Sequence, residues 1–317
     1  MQLSNTRRHL SDLALARSIA FSIILIVIWW AVLLLLATGL PRLSPPWFPD
    51  LRSTLVNLGA LLVPLGVVVA FDWWHEAAVI LSRPDRSWWS LLPLLAVALS
   101  FAAGSLSGSS AQFFGSAVLF LTLGLNEELL YRGVVQHATN TLGAVPSVVW
   151  VAVLFGVQHV GTGIFLGHSL YDTGAMIISA TAFGAAYAAV RLRIGTIWPL
   201  AFLHGLENFC NTRSPGEAPW WWYLAVAIFY VLYAVWLLRL GRDRPAAALE
   251  EPRLRAEGVG ADLRRRQRPR GVRGKLTAEP RRAPLPASAS GFREPTRAAS
   301  GVRVCSRLDL QRVGRLR

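Results

Sequence analysis

Cysteine, lysine and methionine are scarce in this chain of 317 residues, which holds two, one and two of them. Cys210 and Cys305 cannot make a disulfide framework, so nothing in the fold calls for an oxidising compartment. Lys275 is the only lysine, and arginine supplies every other cation. With the abundance of Ala, Gly and Pro, that choice points to a GC-rich, bacterial genome. Acidic residues are also few, 18 against 32 basic ones, but the deficit is local. Residues 241–317 carry twenty basic and eight acidic side chains, whereas residues 1–240 carry twelve and ten. The pI of 11.2 therefore belongs to the tail. The body is nearly neutral, no nucleic-acid partner is expected, and no internal repeat is present.

What the body has is apolar length. Hydrophobic residues make up 53% of the chain, and its mean hydropathy is +0.42. Runs of about 17–25 apolar residues cross a bilayer as helix. Eight are legible, at 18–40, 53–73, 88–107, 112–139, 145–165, 170–190, 194–211 and 219–240. The first is too long for the core of a cleaved signal and is followed by further spans, so it reads as a retained anchor. Trp73, Trp74, Trp88, Trp89 and the Trp220-Trp221-Trp222 cluster fall at span ends, where amphipathic rings favour the interface. With the N-terminus in the cytoplasm, Arg7, Arg8, Arg17, Arg83, Arg86, Arg191, Arg193, Arg239 and the tail lie inside. Only Arg42, Arg52 and Arg213 lie outside, which satisfies the positive-inside rule with both termini cytoplasmic.

The expected fold is therefore all-α: a polytopic transmembrane helical bundle of about eight spans, surrounded by lipid in the cell membrane, the bacterial inner membrane. From residue 243 onward Arg, Pro, Ala and Gly dominate without apolar periodicity, and a disordered basic tail is expected. Arg264-Arg265-Arg266 within it suits anionic headgroups. A solvated tail without a role has the same composition, as does GC-rich DNA read in an arbitrary frame.

Charged residues inside spans are costly and mark function by default. Here they gather in three clusters: Asn126-Glu127-Glu128-Leu129-Leu130-Tyr131-Arg132, Phe155-Gly156-Val157-Gln158-His159 and His204-Gly205-Leu206-Glu207-Asn208. Glu128 and Arg132 stand four apart on a helix and can pair, which offsets their desolvation. Glu127 is rotated by about 100° from Glu128, so one carboxylate is anchored and the other is left available. His204 and Asn208, also four apart, share a face. Counted along the spans at 1.5 Å per residue, Glu127, His159 and His204 lie roughly 16–20 Å from cytoplasmic helix ends, and a common site is expected. His75, His137 and His168 sit near span ends and read as interfacial, as does Asp72.

In order on separate apolar segments, Glu-Glu-x-x-x-Arg, Phe-x-x-x-His and His-x-x-x-Asn resemble the three motifs of the CPBP intramembrane proteases. That family includes the CAAX prenyl endopeptidases and the bacterial proteins formerly called Abi. The resemblance divides the chain into N-terminal helices (1–111), a CPBP-like catalytic core (112–211), a last transmembrane helix (212–242) and the tail (243–317). It implies an endopeptidase acting on a membrane-associated protein or peptide. Glu127 and His159 would activate a water, His204 and Asn208 would donate to the oxyanion, and Glu128 with Arg132 would support them. Glu207 is outside the pattern and reads as an added carboxylate behind the site. No cofactor and no metal is expected. Zinc is the alternative, since Glu, His and His are competent ligands, although no His-Glu-x-x-His pair occurs. A bacteriocin-immunity or scaffold protein of the same fold and a transporter are the rival functions.

Overall fold

The computed structural model describes residues 2–102, 104–216 and 218–242, all within one compact unit spanning Met1–Leu254. The expected tail lies outside the described residues. Among those residues there are helices and no strand. They are α1 (Gln2–Ala16), α2 (Ser18–Gly39), α3 (Leu51–Phe71), α4 (Leu92–Ser100), α5 (Ser110–Glu128), α6 (Gln136–Thr139), α7 (Ala144–Val157), α8 (His159–Leu166), α9 (Leu170–Arg191), α10 (Trp198–Arg213) and α11 (Trp220–Arg242).

Six stretches are long and apolar enough to cross a bilayer: Ser18–Gly39, Leu51–Phe71, Ser110–Leu142, Ala144–Phe165, Leu170–Arg191 and Trp220–Leu240. They coincide with six of the eight expected spans, and the protein is a multi-pass membrane protein. The other two segments form shorter helices. The stretch expected at 88–107 becomes a 3₁₀ turn, Arg86–Leu91, and the nine-residue α4, while that at 194–211 becomes the sixteen-residue α10. Proline in the first turn fixes both starts, Pro93 in α4 and Pro199 in α10. Residues 194–197 were expected to be helical; instead they form the turn that enters α10.

Connections nevertheless gather at two ends, as alternate crossing requires. At one end Ile197 N–H donates to Ala78 carbonyl at 3.0 Å, Arg191 reaches Glu76 carbonyl, and Trp73 packs its ring on His137. Ser11 of α1 accepts from Trp73 there, and Arg193 donates to Leu237 carbonyl near the end of α11. At the other end Ser107 N–H donates to Arg213 carbonyl at 2.7 Å, and Ser116 binds Asp50. Both ends of the described chain thus meet the same set of connections.

Two close crossings draw the motif helices together. A Cβ at Gly124 of α5 would lie 2.4 Å from Ala201 carbonyl of α10, and one at Gly205 would lie 2.7 Å from Phe120 carbonyl. Only glycine lets these backbones approach, as small residues do between membrane helices. The same device joins α7 to α9, where a Cβ on Gly156 would overlap Thr181. These contacts set motif-bearing α5, α7 and α10 around one interior.

Candidate active site

Helix α5 enters the interior through a capping box, Ser109 with Gln112, and runs to Glu128. From Leu129 to Val135 it widens into a π-helical stretch that carries Arg132, then narrows again in α6. Wide turns of this kind are uncommon and recur at functional sites. All seven of its residues are buried.

Glu128 and Arg132 are both fully buried, and Glu128 Oε1 accepts from Arg132 Nη1 at 3.0 Å. The same oxygen accepts from His204 Nδ1 at 2.9 Å. Since a carboxylate accepts here, the proton on that edge belongs to the imidazole. The other edge, Nε2, lies 3.7 Å from Glu127 Oε2. Glu127 keeps 13% of its side chain exposed and, among the described residues, forms no ion pair with Arg132. The pair of adjacent carboxylates is thus divided as helical rotation dictates, one anchored and one at the accessible rim.

His159 begins α8, just past a break in the helix at Gln158. Its Nδ1 lies 2.8 Å from Phe155 carbonyl, an acceptor, so Nδ1 carries the proton and Nε2 is left as the accepting edge. Phe155 connects the site. Its ring is 5.3 Å from the His159 ring and 5.9 Å from the His204 ring, and it lies 4.4 Å beneath the Arg132 guanidinium. Phe183 and Tyr187 on α9 each lie 5.5 Å from the same guanidinium. A cation against three aromatic faces gains on the order of 2 kcal/mol when desolvated, which helps to hold a charge inside the bundle.

Asn208 is half-buried on α10, four residues after His204, and its side chain makes no hydrogen bond among the described residues. The structure therefore joins Glu127, Glu128, Arg132 and His204 directly, reaches His159 through Phe155, and leaves Asn208 on the face that His204 occupies. Glu207 turns the other way, accepting from Tyr230 of α11 at 2.5 Å. Among the described residues, no three His, Cys, Asp or Glu side chains are grouped as a metal ion would need. Two cavities of about 400 and 380 Å³ open near the connection from α10 to α11, and neither is lined by a motif residue.

His137 packs half-buried on Trp73, while His75, His168 and Asp72 are exposed. The expected depth of His204 changes. It lies six residues into α10, about 9 Å rather than the roughly 16–20 Å expected, because α10 starts late, on the buried loop holding Ala77 and Ala78. Sequence reasoning missed the aromatic cage, since Phe183 and Tyr187 look like ordinary apolar positions of a span. Asn126 carried a signal, a polar residue beside the glutamates.

Residues 109–210 match the family model described as Type II CAAX prenyl endopeptidase Rce1-like. Over that stretch the chain is similar to the CAAX protease family. No curated protein and no solved structure matches it. The matched stretch runs from the cap of α5 to α10 and contains all three motifs, so the likeness to membrane endopeptidases lies in the helices that surround Arg132. Helices α1 to α4 and α11 lie outside the match.

Proposed function

We propose that this peptidase hydrolyses a peptide bond of a membrane-associated protein or peptide with a water activated by Glu127 and His159. The observation that carries the reading is the division of labour between the adjacent carboxylates. Glu128 is committed to Arg132 and His204, and Glu127 remains partly accessible beside them. A base must reach its water, and of the two only Glu127 has that access. His159 offers Nε2 as a second acceptor for the same water.

As the carbonyl becomes tetrahedral its oxygen gains charge, and donors fixed in advance lower the barrier most. Asn208 has a free carboxamide for this role. His204 has Nδ1 engaged by Glu128, so a donor toward the oxyanion must come from Nε2–H, which requires the imidazolium form. In that form the charges of Glu127, Glu128, Arg132 and His204 cancel, which suits a buried cluster. Glu127 then passes the water's proton to the departing amine. Glu128 and Arg132 act as positioning groups. The water needs no metal in this reading.

The family description supplies the first probe, a farnesylated peptide ending in a Cys-aliphatic-aliphatic-X sequence. We place the protein in the bacterial cell membrane with both termini cytoplasmic, on the arginine distribution. The test uses the full chain in lipid nanodiscs, the farnesylated peptide and a proteome-derived peptide mixture read by mass spectrometry. Glu127→Gln keeps shape and removes proton acceptance, so turnover falls about 10²–10⁴-fold with KM little changed. Chelators leave turnover unchanged. Full activity in the Gln variant, or loss on chelation with recovery on adding zinc, would overturn the mechanism.

A further inference from the structure

Helix α2 lies outside the stretch that matches the family, yet it touches the site twice. Trp29 is 2% exposed, and its indole N–H donates to Asn126 Oδ1 at 3.0 Å. Asn126 is fully buried and immediately precedes Glu127. Its Nδ2 donates in turn to Asn57 Oδ1 of α3 at 3.3 Å. An amide held at both ends inside an apolar bundle cannot rotate without stranding a polar group, and this fixes the roll of α5 at the glutamates.

Trp30 is the next residue, its ring centroid 5.8 Å from that of Trp29 and nearly perpendicular to it. It covers Gly161 of α8, two residues after His159. A Cβ on Gly161 would lie 2.6 Å from Trp30 Cη2 and 2.8 Å from Cζ2. The glycine has no left-handed conformation to require it, so what it provides is room for the indole against the α8 backbone.

We propose that Trp29 and Trp30 are positioning residues that set the separation of Glu127 and His159. One indole holds Glu127 through Asn126; the other holds His159 through Gly161. Adjacent rings on one helix move together, so the two groups that grip the water are referred to a single rigid ruler. The proposal rests on the assignment of Glu127 and His159 to that water. A ruler differs from simple packing in what it controls: packing alone changes stability, whereas misplacing a reacting group by an ångström costs rate.

The test uses the full chain in nanodiscs with whichever of the two probes is cut. Trp29→Phe keeps a ring and removes the N–H. It is expected to lower kcat roughly ten-fold with KM within about two-fold. Gly161→Ala improves helix propensity but forces Trp30 and α8 apart, and a similar fall in kcat is expected. Trp30→Leu removes the ring atoms that the new methyl would meet. In that background Gly161→Ala should therefore change kcat less than about two-fold, which ties the loss of rate to the contact between the methyl and the indole. Wild-type kcat in Trp29→Phe, or an equal loss from Gly161→Ala in both backgrounds, overturns the proposal. If Trp29→Phe does not fold, the Gly161 pair decides. Glu127→Gln separates the two levels: lost turnover there with unaffected positioning variants removes only the ruler. Retained turnover in that variant, or cleavage of neither probe, removes the underlying reading.

Discussion

Replacing Glu128 by Gln should unfold the bundle more than it slows the chemistry, the reverse of what Glu127→Gln should do. Glu128 is fully buried and one of its oxygens accepts from both Arg132 and His204, at 3.0 and 2.9 Å. Gln keeps the shape but withdraws the charge that these two donors face. Removing one partner of a buried pair costs about 3–5 kcal/mol, because the other charge stays buried without compensation. The aromatic faces of Phe155, Phe183 and Tyr187 surround Arg132 in both proteins and cancel in the difference. Because the Gln side-chain oxygen still accepts a hydrogen bond, the loss falls at the low end, about 3 kcal/mol. For a domain of this size that lowers the melting temperature by roughly 6–12 °C. Glu127 is at the rim, 3.7 Å from His204 and beyond hydrogen-bond length, so its replacement should cost less than that of Glu128. Thermal unfolding of both variants in the same nanodiscs, followed by intrinsic tryptophan fluorescence, reads the difference. A Glu128→Gln protein that melts like wild type would refute the claim that Arg132 depends on this carboxylate.

Other outcomes test the frame around the site. Gly124→Ala sets a methyl 2.4 Å from Ala201 carbonyl, so α5 and α10 must separate, with a cost of about 1–3 kcal/mol and reduced turnover from a displaced His204; melting and kcat measured together check this. Tyr230→Phe removes the hydroxyl that donates to Glu207 at 2.5 Å and should cost about 1.5–3 kcal/mol while leaving turnover per folded molecule within two-fold, by the same pair of measurements. Truncation after Arg242 removes the basic tail and should leave insertion and turnover intact, with weaker binding to anionic vesicles in a flotation assay.

By itself the sequence determined the helical, membrane-spanning character of the body, because burial in lipid demands apolar runs of a fixed minimum length that composition reveals directly. It also determined the motif residues and the unequal fates of Glu127 and Glu128, since a 100° step between neighbours is a property of any helix. Tertiary structure decided the rest. Whether 88–107 and 194–211 form full-length helices depends on where Pro93 and Pro199 start them, and on the loop at Ala77 and Ala78 that receives α10. That His204 binds Glu128 rather than standing free depends on how closely α10 approaches α5, which Gly124 and Gly205 permit. The π-helical widening at Leu129–Val135 leaves no mark in the apolar pattern, because it changes hydrogen-bond register and not side-chain polarity. Phe155, Phe183 and Tyr187 surround a guanidinium only because three helices converge, and local sequence carries no record of which distant ring will face a charge.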